Sequence, residues 1–153
     1  MSVQSTAGTV LSVSIATPAT QDEAGYSALS YTEVGEVTDL GEYGSDGNLI
    51  TYQAIGERLD QKLKGSINAG SQSLQLGRDI VDAGQAILKA ASTNGSATVD
   101  TNLSFKIGYK DGSIDYFQAL VMNYVNSLGN SNQVTAANCN IELNTEIVEV
   151  AAP

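Results

Sequence analysis

Polar and apolar residues alternate along much of this chain, most clearly in its last third. Ala137, Cys139, Ile141, Leu143 and Ile147 fall on one parity, and Asn138, Asn140, Glu142, Asn144 and Glu146 on the other. A period of two sets one face of a strand on a core and the other on a polar surface. If unbroken from Ala137 to Ile147, the strand would run about 37 Å at about 3.4 Å per residue, roughly twice the usual length. It belongs to a final segment, 134–150, that reads as one long strand. Just before it, apolar runs at 103–109 and 114–125 flank Asp111-Gly112, which predicts a tight hairpin pairing Tyr109 with Ile114 and Ile107 with Tyr116. Beyond Tyr116 the apolar parity moves to Phe117, Ala119 and Val121, so the return strand is either bulged or buried on both faces.

The first half predicts shorter strands at 9–15, 31–37 and 49–55. Residues 16–28 read as a loop around Pro18 and Gly25, and 38–48, with three glycines and three acids, as a long acidic loop. Residues 62–76 read as one long strand whose parity shifts, reconciled by a bulge near Gly70. One helix is expected, 79–91, with Asp79 as N-cap, Asp82 in the first turn and Lys89 in the last. Its apolar stripe is Ile80, Ala83, Ile87 and Ala91, widened by Val81 and Leu88, and should lie on a sheet. The sum is a single domain over 1–153, mainly β with one α-helix.

Composition narrows the chemistry. The net charge is −10, and the seven basic residues are scattered, which opposes phosphate-gripping and anionic membrane surfaces. No histidine is present, which removes the commonest general base and metal ligand. The one cysteine, Cys139, lies on the apolar parity and reads as a small core residue. Asp46-Gly47-Asn48 lacks the spacing of a calcium loop and reads as a turn. The pairs Glu57/Asp60 and Asp79/Asp82 read as solvated or dipole-matched carboxylates rather than acid–base pairs. No enzyme constellation, cofactor or metal site is expected. No apolar run reaches membrane-span length, and the first ten residues carry no basic start, so a cytoplasmic origin is expected.

The segment KIGYKDGSIDYFQALVMNYVNSLGNSNQVTAANCNIELNTEIVEV, 106–150, resembles the tail tube proteins of long-tailed, lambda-like bacteriophages. It shares their strand, Asx-Gly turn, return strand with an acid before aromatics (Asp115, Tyr116, Phe117), polar connection and last strand. The mid-chain helix and the acidic loop between early strands are similar too.

This resemblance implies a β-sandwich or barrel whose strands are shared into a ring barrel on oligomerisation. It implies hexameric rings that stack into a tail tube, the conduit for DNA ejection, in a virion assembled in the host cytoplasm. Partners would be further copies of the chain, the tape measure, the tail tip and the terminator. DNA would pass through the lumen without specific binding, and no membrane would be bound. A ring of six would carry about −60, which repels phosphate. Candidate lumen residues are Asn138, Asn140, Glu142, Asn144 and Glu146; the alternative for them is an ordinary solvated outer face. Thr51 and Gln53, or Ser66, Asn68 and Gln72, compete for the same role. The candidate ring-stacking loop is 38–48, centred on Asp39, Leu40, Gly41, Glu42, Tyr43, Gly44, Ser45 and Asp46, and is expected to be mobile in a free protomer. The termini, 1–7 and 151–153, are candidate assembly arms. Alternatives are a related tube or tail-joining protein, such as a type VI secretion tube ring, and a carbohydrate-binding β-sandwich using Tyr109 and Tyr116.

Overall fold

The computed structural model describes residues 3–152; of the candidate terminal arms, Met1, Ser2 and Pro153 lie outside them. In chain order the elements are β1 (Val10–Ser14), α1 (Glu23–Ser27), β2 (Thr32–Glu33), β3 (Val37–Asp39), β4 (Asp46–Tyr52), β5 (Gln61–Asn68), β6 (Ser71–Gly77), α2 (Ala83–Ser92), β7 (Leu103–Gly108), β8 (Ile114–Ser127), β9 (Ala136–Leu143) and β10 (Val148–Val150). Eight strands form one antiparallel sheet, in the order β2-β1-β7-β8-β9-β6-β3, with β10 paired to the start of β8. The sheet curls into a half-barrel. The strands β4 and β5 make a separate two-stranded sheet.

One face of the large sheet is the core. It gathers Leu11 and Val13 of β1, Leu103, Phe105 and Ile107 of β7, Phe117, Ala119 and Val121 of β8, Cys139, Ile141 and Leu143 of β9, and Leu74 and Leu76 of β6. The Phe105 and Phe117 rings stack at 5.5 Å across a directly paired position. Burying each such side chain is worth about 2 kcal/mol. Leu88 and Ala91 of α2 close this core over β8.

The helix begins one turn later than expected. Asp82, not Asp79, is the N-cap: its carboxylate accepts from Gln85 N at 2.9 Å and from Gly35 N at 3.1 Å. The second bond ties the helix to the β2–β3 connection, a tertiary partner that local pattern does not contain. Ile80 and Val81, expected on the buried stripe, precede the helix and stand exposed. A polar residue takes their place. The buried Gln85 donates to the carbonyls of Gly35 and Gly77, both at 2.9 Å, and accepts from Asp79 N and the Tyr124 hydroxyl, both at 3.0 Å. Gly84 lets the helix approach β2, where a Cβ would fall 2.4 Å from the Glu33 carbonyl.

Other corrections follow from chain geometry. The strand expected at 31–37 splits into β2 and β3 around Glu36, which takes φ of +60°. The loop expected at 16–28 contains α1, capped by Asp22, whose carboxylate accepts from Gly25 N at 2.8 Å. The β7–β8 hairpin pairs Lys106 with Tyr116 and Gly108 with Ile114, one residue off the expected register. Tyr109 N donates to Ser113 O, enclosing a three-residue loop that ends at Gly112, φ +95°. That loop absorbs the extra residue. Both readings of the return strand hold: Tyr116 to Ala119 are buried consecutively, and the register to β9 shifts between Val121 and Asn123. Tyr26 of α1 stacks on Tyr116 at 5.3 Å and covers the second face there.

Candidate assembly surfaces

The last segment, 134–150, is not one strand. Its ladder with β8 runs from Ser127↔Ala136 to Ala119↔Leu143 and resumes at Tyr116↔Val148. Three steps along β8 therefore face five along the last segment. The surplus sits at 144–147, held by Asn144 N on Gln118 O at 2.9 Å and by Gln118 N on the Thr145 hydroxyl at 3.0 Å. Of the five candidate lumen residues, only Asn138, Asn140 and Glu142 share a strand, β9. They alternate with the buried Ala137, Cys139 and Ile141, as the parity predicted. Asn144 and Glu146 leave the ladder: Asn144 donates to Asn102 Oδ1 at 2.7 Å, and Glu146 lines a cleft with Glu42, Tyr43 and Glu149.

The row on β9 continues across β6. Ser71 pairs with Glu142, Ser73 with Asn140 and Gln75 with Asn138, and Ser73 Oγ donates to Asn140 Oδ1 at 2.8 Å. These six form a polar patch with one carboxylate and no cation. Gln72, a competing lumen candidate, is buried instead and donates to Leu40 O at 2.7 Å. Thr51, Ser66 and Asn68 lie on β4 and β5 and Gln53 just beyond β4, so they belong to a different sheet.

The acidic loop is shorter and better anchored than 38–48 suggested. Thr38 and Asp39 end β3, Asp46 to Asn48 begin β4, and only six residues lie between. Leu40 and Tyr43 pack against the core, and the Tyr43 ring lies 5.6 Å from Phe117. The Tyr43 hydroxyl meets both the Tyr109 hydroxyl and the Asp115 carboxylate, and Tyr109 donates to Asp115 at 2.7 Å. Burial first, and then the hydrogen bond to the Asp115 carboxylate, push the Tyr43 phenol well above its ordinary pKa. Burial also raises Tyr109. Tyr43 thus ties the loop to the β7–β8 hairpin. Nothing in its glycine-rich composition announces the two distant partners of Tyr43.

The element that does stand free is the hairpin β4–β5. The single strand expected at 62–76 breaks at Gly70, which has φ of +101° and lies so close to Gly44 that a Cβ would fall 2.1 Å from its carbonyl. β5 then leaves the large sheet to pair with β4. Every residue of β4 is exposed, and every residue of β5 except the half-buried Gly65. Yet the hairpin is patterned. Ile50 pairs with Leu63 and Tyr52 with Gln61, which places Ile50, Tyr52 and Leu63 on one face. Lys62, Lys64 and Thr51 take the other, together with Leu49 opposite Lys64 and, beyond the bulge between Gly47 and Leu49, Ile67 opposite Gly47. The hairpin carries three of the chain's seven cations and three of its seventeen acids, so its own charge is zero while the rest holds −10.

Among the described residues, no group of three or more His, Cys, Asp or Glu side chains could hold a metal ion. Among the same residues, no helix is long and apolar enough to cross a membrane. Tyr116, offered above for glycan stacking, lies beneath Tyr26 and Tyr31.

No family model matches this sequence, and no curated protein matches it. Solved structures do. A chain of the virion of a native gene transfer agent particle superposes with a TM-score of 0.68 at 8% identity, over 97% of this chain and 100% of that one. The fold is that of phage-type tail tube and tube terminator proteins. A chain from the sheath/tube terminator of an extracellular contractile injection system, in its extended state, gives a TM-score of 0.67 at 9% identity, over 99% of both chains. One from the tail of an empty gene transfer agent particle, computed with helical refinement and C6 symmetry, gives 0.66 at 9% identity over 97% of this chain and 100% of that one. Identities this low carry the tail tube and terminator fold alone.

Proposed function

We propose that this chain is a non-enzymatic structural subunit that forms hexameric rings and stacks them into the tail tube of a phage or phage-related particle, the conduit through which DNA leaves. The observation that carries the reading is the β4–β5 hairpin. A two-stranded hairpin is marginal in water by itself, and this one leaves Leu49, Ile50, Tyr52, Leu63 and Ile67 each about half exposed or more. Such a patch is a contact waiting for a partner. In a stacked tube each protomer's hairpin is covered by neighbouring copies. The stacking role expected of 38–48 passes to this hairpin, with the fastened loop as its base. The C6 symmetry of the gene transfer agent tail supports six copies per ring.

The polar patch of β6 and β9 supports a lumen role. Asn138, Asn140, Glu142, Ser71, Ser73 and Gln75 offer phosphate no cation, and passing DNA would meet hydrogen-bonding groups without being gripped. The lambda-like assignment rests on the layout of 106–150. It places the protein in the virion after assembly in the host cytoplasm, next to the tape measure, tail tip and terminator.

A tube terminator or tail-joining ring is the second reading, favoured by the likeness to the terminator assembly. Cryo-electron microscopy of the concentrated protein separates the two. Continuous tubes with six subunits per ring support the tube reading, and single closed rings support the terminator. A protein that stays monomeric with a tail-tip template present would overturn both. Within tubes, Glu142→Lys should slow DNA ejection at least several-fold; an unchanged rate would move the lumen to another face.

A further inference from the structure

The hairpin's tip has a matching seat elsewhere on the molecule. A groove of about 420 Å³ opens between α2 and the far end of β8, floored by Ala86, Ala90, Ile80 and Tyr124 and flanked by Arg78 and Lys89. Its lining is mostly apolar, yet Ile80 remains 72% exposed. Its one carboxylate, Asp79, accepts from Val81 N at 3.1 Å. At the tip of the hairpin the turn closed by Glu57 N on Ala54 O lifts Ile55 into full exposure, and Leu59 is 83% exposed. Around these two stand Glu57, Asp60 and Arg58. The charges mirror each other: two cations and one acid around an apolar groove, two acids and one cation around an apolar knob.

We infer that the groove seats the hairpin tip of a second copy of this chain. The inference rests on the stacked-tube reading and names the contact that would propagate it. The positions of the two parts favour a second copy over the same one. The hairpin leaves the body at the Ser71 end of β6, where Gly70 O accepts from Leu143 N at 2.9 Å. The groove lies beyond Gly77, at the other end of that strand. In the free chain Ile55 touches no groove at all. Knob and socket are different surfaces at opposite ends of the sheet, so their contact is heterologous. A contact of that type, repeated, builds a ring or an open stack rather than a two-fold dimer, and the stacked-tube reading takes the second. Desolvation of Ile55 and Leu59 would supply affinity, and Glu57 against Arg78 and Lys89 would set orientation and salt sensitivity.

Disulfide capture tests the pairing directly. Two full-length variants, Ile55→Cys and Ala90→Cys, are mixed under oxidised glutathione at assembly concentration. The native Cys139 does not interfere, because burial raises its thiol to about 12. A crosslinked heterodimer in the mixture, absent from either variant alone, is expected. Separately, Glu57→Lys should cut the rate of tube growth at least tenfold, with recovery when Lys89→Glu is added. Wild-type tubes that form while neither crosslink nor charge rescue appears would overturn this contact and leave the tube reading standing. A wild-type protein that forms neither rings nor tubes would overturn the tube reading and this inference with it.

Discussion

Two antiparallel pairs in this protein carry the same alternating pattern and meet opposite fates. On β6 and β9 the apolar parity (Leu74, Leu76, Cys139, Ile141) is fully buried beneath the core. On β4 and β5 the apolar parity (Ile50, Tyr52, Leu63) stands in solvent. Period-two patterning states which residues share a face, not which chain covers it. The body pair is covered by its own protomer. In the proposed tube the hairpin pair takes its cover from a neighbouring copy.

This contrast is most strongly tested by truncation. Phe117→Ala should destabilise the protomer by about 3–5 kcal/mol, the range for a large buried aromatic. Leu63→Ala, on the hairpin, should shift chemical denaturation of the monomer by about 0.5 kcal/mol or less, yet abolish tube formation. Equal destabilisation by both would mean that the hairpin is already packed in the free protein.

Gln85→Leu comes next, at about 3 kcal/mol, because it strands two partly buried carbonyls, an amide and the Tyr124 hydroxyl. Asp82→Ala removes a cap and its tertiary bond to Gly35, for about 1–2 kcal/mol. Both are read from urea midpoints. Neither should alter the hairpin, which shares no hydrogen bond with this network.

Tyr43→Phe should cost about 1 kcal/mol, and its pH dependence identifies the cause. The folded phenol titrates above its unfolded value of about 10. Above pH ~10 the unfolded chain has released this proton and the folded one has not, so stability falls as pH rises. Below that pH the contribution is complete. Tyr43→Phe should flatten the decline seen from pH ~10 upward; an unchanged slope would detach Tyr43 from the alkaline transition. The smallest effect concerns Cys139. Its thiol should resist aromatic disulfide reagents at pH 8 and react at once in denaturant, and fast labelling of the native protein would show that β9 opens.

The sequence exposed the strand faces and the existence of α2 well. Cys139, Ile141 and Leu143 were legible as core because one parity ran unbroken through β9. The break after Leu143 was not, since it comes from Gln118 and Thr145, partners 27 residues apart. The helix start was misplaced because Asp79 and Asp82 are equally good caps locally, and the Gly35 amide decides between them. The anchoring of 38–48 was not legible either. Its glycines mark irregular backbone correctly, but Tyr43 finds Asp115 across 72 residues and holds the segment down. The free hairpin left a sequence trace in the parity shift at Gly70 and in Arg58, Lys62 and Lys64, clustered on an otherwise acidic chain.

Amide hydrogen exchange, followed in monomer and in assembled tubes, measures both regions at once. The account predicts that β6 and β9 exchange slowly in both states, while 46–68 exchanges fast in the monomer and becomes protected in the tube. A hairpin that exchanges equally fast in assembled tubes would contradict it.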